Sequence, residues 1–273
     1  MTSFIKTYIP FTKAMIKSEY FAYKSRFILW ALASTVSFVA QLLLWKAIFI
    51  NSTEKIINGY SFEEMILYIG ISKCVECVSF ATVEAQVAKG IKQGSLVNSL
   101  IKPISFKIEL LFRAFGQIGG SCILFLPIYC SVFWIFVKKN NIDTNFLVLN
   151  VALGFFYCVL AFMLNYYISL IFSCIVFKTF KYRGIYQLKK TMVAFFSGAL
   201  FPVSFYPAIF RKLIMFFPFV YLRYYPIAIF QGRLSLTEMK TKFIVGIGWL
   251  LILSIISTIL WRKSIKNLVV FGG

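Results

Sequence analysis

The chain has 273 residues, of which 60% are hydrophobic, 19% aromatic and only 14% charged, and its mean hydropathy is +0.83. A soluble domain carries about 25% charged residues, so this composition excludes a water-soluble fold and specifies an all-α integral membrane protein crossing the bilayer several times. The formal charge of +20 does not indicate nucleic acid, because the basic residues cluster at the ends of apolar runs, where they set topology and meet anionic lipid headgroups.

Histidine is absent. The commonest general base and metal ligand are therefore missing, and neither a catalytic residue nor a metal site is expected. The cysteines Cys74, Cys77, Cys122, Cys130, Cys158 and Cys174 all lie inside apolar runs, unlike a secreted disulfide framework. Cys74 and Cys77 spell CxxC without companion ligands and read as small packing residues. Charges from Lys6 to Arg26 break the opening segment, so no cleavable signal peptide is expected.

Residues 1–26 read as an amphipathic helix on the membrane surface, with Pro10 interrupting it near its start. The first span is expected over 27–50. The second, about 61–83, is the polar one, with Glu63 and Glu64 at its entrance. At 100° per residue Lys73, Glu76, Phe80 and Glu84 share one face of a continuous helix. Lys73 and Glu76, three apart, can neutralise each other. The set reads either as a lining for a path or subunit interface, or as a structural ion pair within the bundle.

The loop over 87–106 follows. Gly90 and Gly94 mark breaks in helical backbone. Between Gly94 and Pro103, the residues Leu96, Val97, Leu100 and Ile101 give a short helix one apolar face, and Lys102-Pro103 ends it. Spacing alone leaves open whether this helix touches a partner or merely connects two spans. Glu109 and Arg113, spaced i, i+4, introduce a third span over 114–137. In it Gly116, Gly119 and Gly120 permit close approach of a neighbouring helix, and Pro127 kinks the middle. The fourth span runs over 146–177. A basic loop carrying Lys178, Lys181, Arg183, Lys189 and Lys190 leads to a fifth starting near Thr191. From 201 to 232, Pro202, Pro207, Pro218 and Pro226, with Gly198 before them, leave no piece long enough to cross, which suits re-entrant or interfacial helices. The sixth span covers 243–261. Basic loops place both termini in the cytoplasm, but Arg211, Lys212, Arg223, Arg233, Lys240 and Lys242 then fall outside, against the rule.

Three places carry a family likeness. The stretch Ile91-Lys92-Gln93-Gly94-Ser95-Leu96 through Leu100-Ile101-Lys102-Pro103-Ile104-Ser105 is the first. Phe196-Ser197-Gly198-Ala199-Leu200-Phe201-Pro202 with Phe205-Tyr206-Pro207, Phe217-Pro218-Phe219 and Tyr225-Pro226-Ile227 is the second, and the basic tail closing on Gly272-Gly273 is the third. Together they resemble the six-span permease subunit of a type-two ATP-binding-cassette (ABC) exporter, in the branch of roughly 260-residue drug-exporter-like permeases. The resemblance implies a coupling helix in the 90s loop that docks on a cytoplasmic ABC ATPase dimer. It also implies short external helices over 201–232, and a second permease, identical or related, in a bacterial cell membrane. ATP and Mg²⁺ would belong to the ATPase, since this chain has no G-x-x-x-x-G-K-[ST]. An ion-coupled carrier acting without an ATPase is the alternative, with Lys73, Glu76 and Glu84 as titrating groups. A membrane enzyme would need a catalytic constellation, which nine scattered acids and no histidine do not provide.

Overall fold

The computed structural model describes residues 2–21, 24–94, 105–119, 122, 131, 144–179 and 182–266. Helix α1 (Thr2–Phe21) is followed by α2 (Lys24–Asn51), a two-stranded hairpin of β1 (Ile56–Ile57) and β2 (Tyr60–Ser61), and α3 (Phe62–Ser79). Next come α4 (Val83–Lys92), α5 (residues 106–119), α6 (Thr144–Thr179) and α7 (Tyr182–Phe196). Two 3-10 turns, Val203–Phe205 and Pro218–Leu222, alternate with α8 (Ala208–Phe216) and α9 (Tyr224–Phe230). Helix α10 (Leu236–Lys266) completes the described fold.

Helix α6 is the pillar. It contributes Cys158 to the cluster around Met65 and Val75 of α3, Phe162 and Leu170 to the one around Val83 and Leu110, and Leu160 and Leu164 to the one around Tyr221 and Ile229. Its membrane-length stretch is 61% buried, against 6% for α2 and 17% for α10, so those two form the apolar flank. Residues such as Leu32, Val36, Leu43, Leu251, Ile255 and Ile259 present that flank outward. Glycine sets the closest approaches: a Cβ on Gly246 of α10 would meet Leu160 at 2.7 Å, and one on Gly154 of α6 would meet Phe230 at 2.6 Å.

The hairpin was not anticipated, although Asn58-Gly59 is its signal. Both residues have positive φ, 48° and 80°, as a two-residue type I′ turn requires. The hairpin pairs Ile56 with Ser61 and Ile57 with Tyr60. Ser61 then caps α3, its hydroxyl accepting from the Glu64 amide while the Glu64 carboxylate accepts from the Ser61 amide. Two orphan donors at the helix start are satisfied in this way.

Three expectations need correction. Pro10 does not interrupt α1, which continues through it. The second span is not one helix, because α3 stops at Ser79 and α4 resumes at Val83 with a bend of 41°. The basic segment before the fifth span is not a loop: α7 begins at Tyr182, nine residues before the expected start. That helix has 15 residues, about 22 Å at 1.5 Å per residue, and Ser197 and the left-handed Gly198 (φ 78°) end it. The all-α membrane class stands, and the described residues account for part of the expected six spans. Three helices are long and apolar enough to cross a membrane among the described residues (Leu32–Asn51, Leu149–Thr179 and Leu236–Lys266), or four if the bent pair α3–α4 is one broken span. Most of the expected third span, including Gly120 and Pro127, lies outside the described residues.

Candidate functional site

The break between α3 and α4 leaves backbone groups without helical partners, and in a bilayer such groups must be satisfied by the protein. Side chains from three other helices do so. Asn165 of α6 donates to the Ser79 carbonyl at 2.6 Å. The Ala81 carbonyl accepts from Ser169 of α6 and from the Lys189 ammonium of α7, each at 2.9 Å. Gln117 of α5 accepts from the Thr82 amide and donates to the Thr82 hydroxyl. The break is therefore a built feature.

Lys189 does more than satisfy a carbonyl. Its ammonium is 2.6 Å from the Glu84 carboxylate in the first turn of α4, and both side chains are buried. Negative charge at the start of α4 and positive charge at the end of α3 each complement a helix dipole. A buried pair like this stabilises little by itself, but removing one partner costs about 3–5 kcal/mol.

Among the described residues, Lys189–Glu84 is one rung of four. At one end Arg233 pairs with Glu64 at 2.8 Å, and its guanidinium lies 3.7 Å from the centre of the Tyr60 ring. Burial pushes the Tyr60 phenol up to about 12, against the opposing pull of Arg233, so the ring stays uncharged beneath the cation. Arg113 pairs with Glu109 at 2.7 Å in α5, and Glu109 is fully buried. Near the end of α3, Glu76 faces two cations, Lys73 at 3.6 Å and Arg223 at 3.8 Å.

Arg223 arrives from the segment between Ser197 and Gly232, and its contacts give that segment's course. Gln231 donates to the Glu64 carbonyl and Arg223 to the Ser72 carbonyl, each at 2.9 Å. Both positions shift by eight residues, so α9 runs antiparallel beside α3. At the Ser72 level the chain doubles back: Tyr68 donates to the Gly198 carbonyl, Ser72 to the Ala199 carbonyl, and the Tyr224 amide to the Ser197 carbonyl. The end of α7 and the start of α9 therefore meet about 15 Å along α3 from its first residue.

The sequence-derived site residues fall into three groups. Lys73 and Glu76 pair as their spacing predicts, but Glu84 does not join them. The turn at Phe80–Thr82 re-aims α4, so the four residues expected on one face divide between two clusters. Gly198, Pro202, Pro207, Pro218 and Pro226 bound the short helices as expected: Pro202 and Pro207 stand just before helical turns, Pro218 starts one, and Pro226 lies in the first turn of α9. Of the 90s stretch, Gly90 lies inside α4 instead of breaking it, and Gly94 has φ 66° just past its end. Leu96, Val97, Leu100, Ile101, Lys102 and Pro103 lie outside the described residues. The loop's exit is visible. The Ser105 amide donates to the Tyr8 hydroxyl at 3.0 Å, and Thr12 donates to the Phe112 carbonyl at 2.9 Å. A Cβ on Gly116 would meet Met15 and the Thr12 carbonyl at 2.7 Å, so the close neighbour of the glycine-bearing helix is α1.

Lys189, Arg223, Asn165 and Ser169 went unrecognised in the sequence. One signal was available: past its entrance the second span carries Glu76 and, at its exit, Glu84, but only Lys73 to balance them. Another segment had to supply the missing charge.

A profile described as "ABC-2 family transporter protein" matches residues 35–272. The chain belongs to the ABC-2 transporter family. No curated protein and no solved structure matches it. As an ABC-2 chain it is a multi-pass membrane permease, a transport component and not itself an enzyme. The bent α3–α4 pair, the doubled-back segment before α10 and the charge ladder are thus features of an ABC-2 permease.

Proposed function

We propose that this ABC-2 permease is half of the membrane path of an ATP-driven exporter. Two six-span subunits, identical or related, enclose the path in a bacterial cell membrane, with all termini in the cytoplasm. A separate ATPase dimer carries ATP and Mg²⁺ and supplies the energy. The observation supporting this reading most directly is the course of the chain through α3, the turn at 80–82, α4 and Gly94 into residues 95–104. Helix α4 is a ten-residue rod, about 15 Å long, held near its start by Glu84–Lys189 and ending where the proposed coupling helix begins.

In this reading the apolar face of Leu96, Val97, Leu100 and Ile101 rests on the ATPase, with Gly90 and Gly94 before it and Lys102-Pro103 after it. Closure of the ATPases displaces that helix, α4 transmits the displacement, and the turn at Phe80 absorbs it. Such motion needs two discrete packings of a rigid element, and a helix already bent by 41° supplies the joint. The segment holding Gly198, Pro202, Pro207, Pro218 and Pro226 covers the outer end of the path, while Lys73, Glu76 and Phe80 belong to its wall.

The test is a double substitution, Leu96→Asp with Leu100→Asp, in the full chain expressed with its ATPase. Export and ATPase co-purification should be lost while membrane insertion is unchanged. If both survive, the coupling assignment is wrong.

A further inference from the structure

The middle rung of the charge ladder differs from the others. Arg233–Glu64, Lys189–Glu84 and Arg113–Glu109 each match one cation to one carboxylate at 2.6–2.8 Å. At Glu76 two cations face one carboxylate, and neither closes to hydrogen-bonding distance: 3.6 Å to Lys73 and 3.8 Å to Arg223. The Lys73 and Arg223 side chains are only 13% and 11% exposed, whereas Glu76 is 39% exposed, against none for Glu84 and Glu109. Glu76 is therefore the accessible member of this rung. Its position is about 21 Å along α3 from Phe62, close to the bend of a helix pair that together has the length and apolarity of a broken span.

Arg223 has capacity to spare. One of its terminal nitrogens donates to Ser72, but Nε is buried without a hydrogen-bond partner. A third cation, Lys190, acts on the same carboxylate electrostatically. A surplus cation at membrane depth is costly unless a counter-anion sits beside it. A second identical chain across a two-fold path would bring the same surplus again.

We infer that Arg223 and Lys73, flanking Glu76, form a site in the path wall for one anionic headgroup, a carboxylate or phosphate carried on a hydrophobic tail. The Arg223 nitrogen that faces Glu76 would donate to an anion oxygen in a charge-assisted bond. Lys73 adds a point charge. Glu76 competes with the anion for both cations, keeping the empty site charge-matched and letting the ligand leave. This deepens the exporter reading and rests on it, since it names the cargo class as anionic amphiphiles.

The experiment uses the full chain, without ATPase, in nanodiscs of neutral phosphatidylcholine. The probes are spin-labelled stearate and its uncharged methyl ester, followed as the immobilised fraction. Stearate should bind more tightly than the ester. Arg223→Gln and Lys73→Gln should each weaken stearate roughly ten-fold, as loss of a charge-assisted contact does, and leave the ester unchanged. Arg223→Lys should restore part of the loss. Glu76→Gln should tighten stearate binding, which a merely structural role for Glu76 would not produce. Competition by phosphatidylglycerol in the disc identifies the anion as bilayer lipid, and competition by inorganic phosphate from the aqueous phase identifies a free species. Either upholds the site. Equal binding of stearate and ester, or weakened stearate binding in Glu76→Gln, overturns it. Because no ATPase is present, that failure leaves the exporter reading standing. Intact stearate binding with no ATP-driven export would instead sink the exporter reading and keep the site.

Discussion

Lys189 carries three contacts at once: the Glu84 carboxylate, the Ala81 carbonyl and the Ser169 hydroxyl. Truncating it strands a buried carboxylate and leaves the Ala81 carbonyl to Ser169 alone. Lys189→Met should therefore destabilise the purified protein by about 3–5 kcal/mol, read as a lowered thermal midpoint in detergent. Combining it with Glu84→Gln should recover at least about 1 kcal/mol, since the two sites are directly coupled. A double variant no more stable than Lys189→Met would show that the ion pair contributes nothing beyond the carbonyl contact. Gly116 makes the complementary case for packing. A side chain there collides with Met15 and the Thr12 backbone, so Gly116→Leu should expel α1 and make residues 2–21 sensitive to limited proteolysis. Unchanged protease resistance would disprove the docking.

Helices α4 and α1 both reach the 90s stretch, from opposite sides. Helix α4 enters it through Gly94, whose φ of 66° is strained for any L side chain, although no atom lies within 4 Å of a Cβ there. The penalty for Gly94→Ala is therefore one of backbone conformation alone, about 1 kcal/mol, and Gly94→Asn should cost less because asparagine tolerates the left-handed region. Thermal midpoints of the two variants test this, and equal values would refute it. Helix α1 holds the other end through Tyr8, which stacks on Phe112 at 5.3 Å as its hydroxyl takes the Ser105 amide. The stretch expected to meet the ATPase thus leaves one anchored helix and enters another.

For the whole molecule, the ladder fixes a direction. Glu64 and Arg233 mark the hairpin end, Glu84 and Lys189 lie beyond the break, and Glu109 and Arg113 sit beside α1. Arg233 and Arg223, which contradicted the positive-inside rule, are accounted for by their carboxylate partners at the hairpin end and near the end of α3. If the basic end is cytoplasmic, a cysteine at Asn58 should react with a membrane-impermeant maleimide on intact cells. A cysteine at Gly184 should react only after permeabilisation. The reverse pattern would invert the topology.

The sequence by itself determined the membrane class, most helix positions and the pairs that lie within one helix. Glu109–Arg113 and Lys73–Glu76 were legible because spacings of four and three put side chains on one face whatever the rest of the chain does. The proline-bounded short helices were legible for a similar reason, since proline and glycine act on their own backbone. The break after Ser79 was not. Nothing between Phe80 and Val83 forbids a helix, and the break persists because Asn165, Ser169, Lys189 and Gln117 converge on the freed backbone from α6, α7 and α5. The pairings of Glu84 with Lys189 and of Glu76 with Arg223 belong to the same class. Each joins residues more than a hundred positions apart, and helical periodicity reports only on neighbours. Which helices meet was decided by tertiary packing around α6, through close approaches such as those at Gly154 and Gly246, and that packing brings the surplus charge of Arg223 beside Glu76.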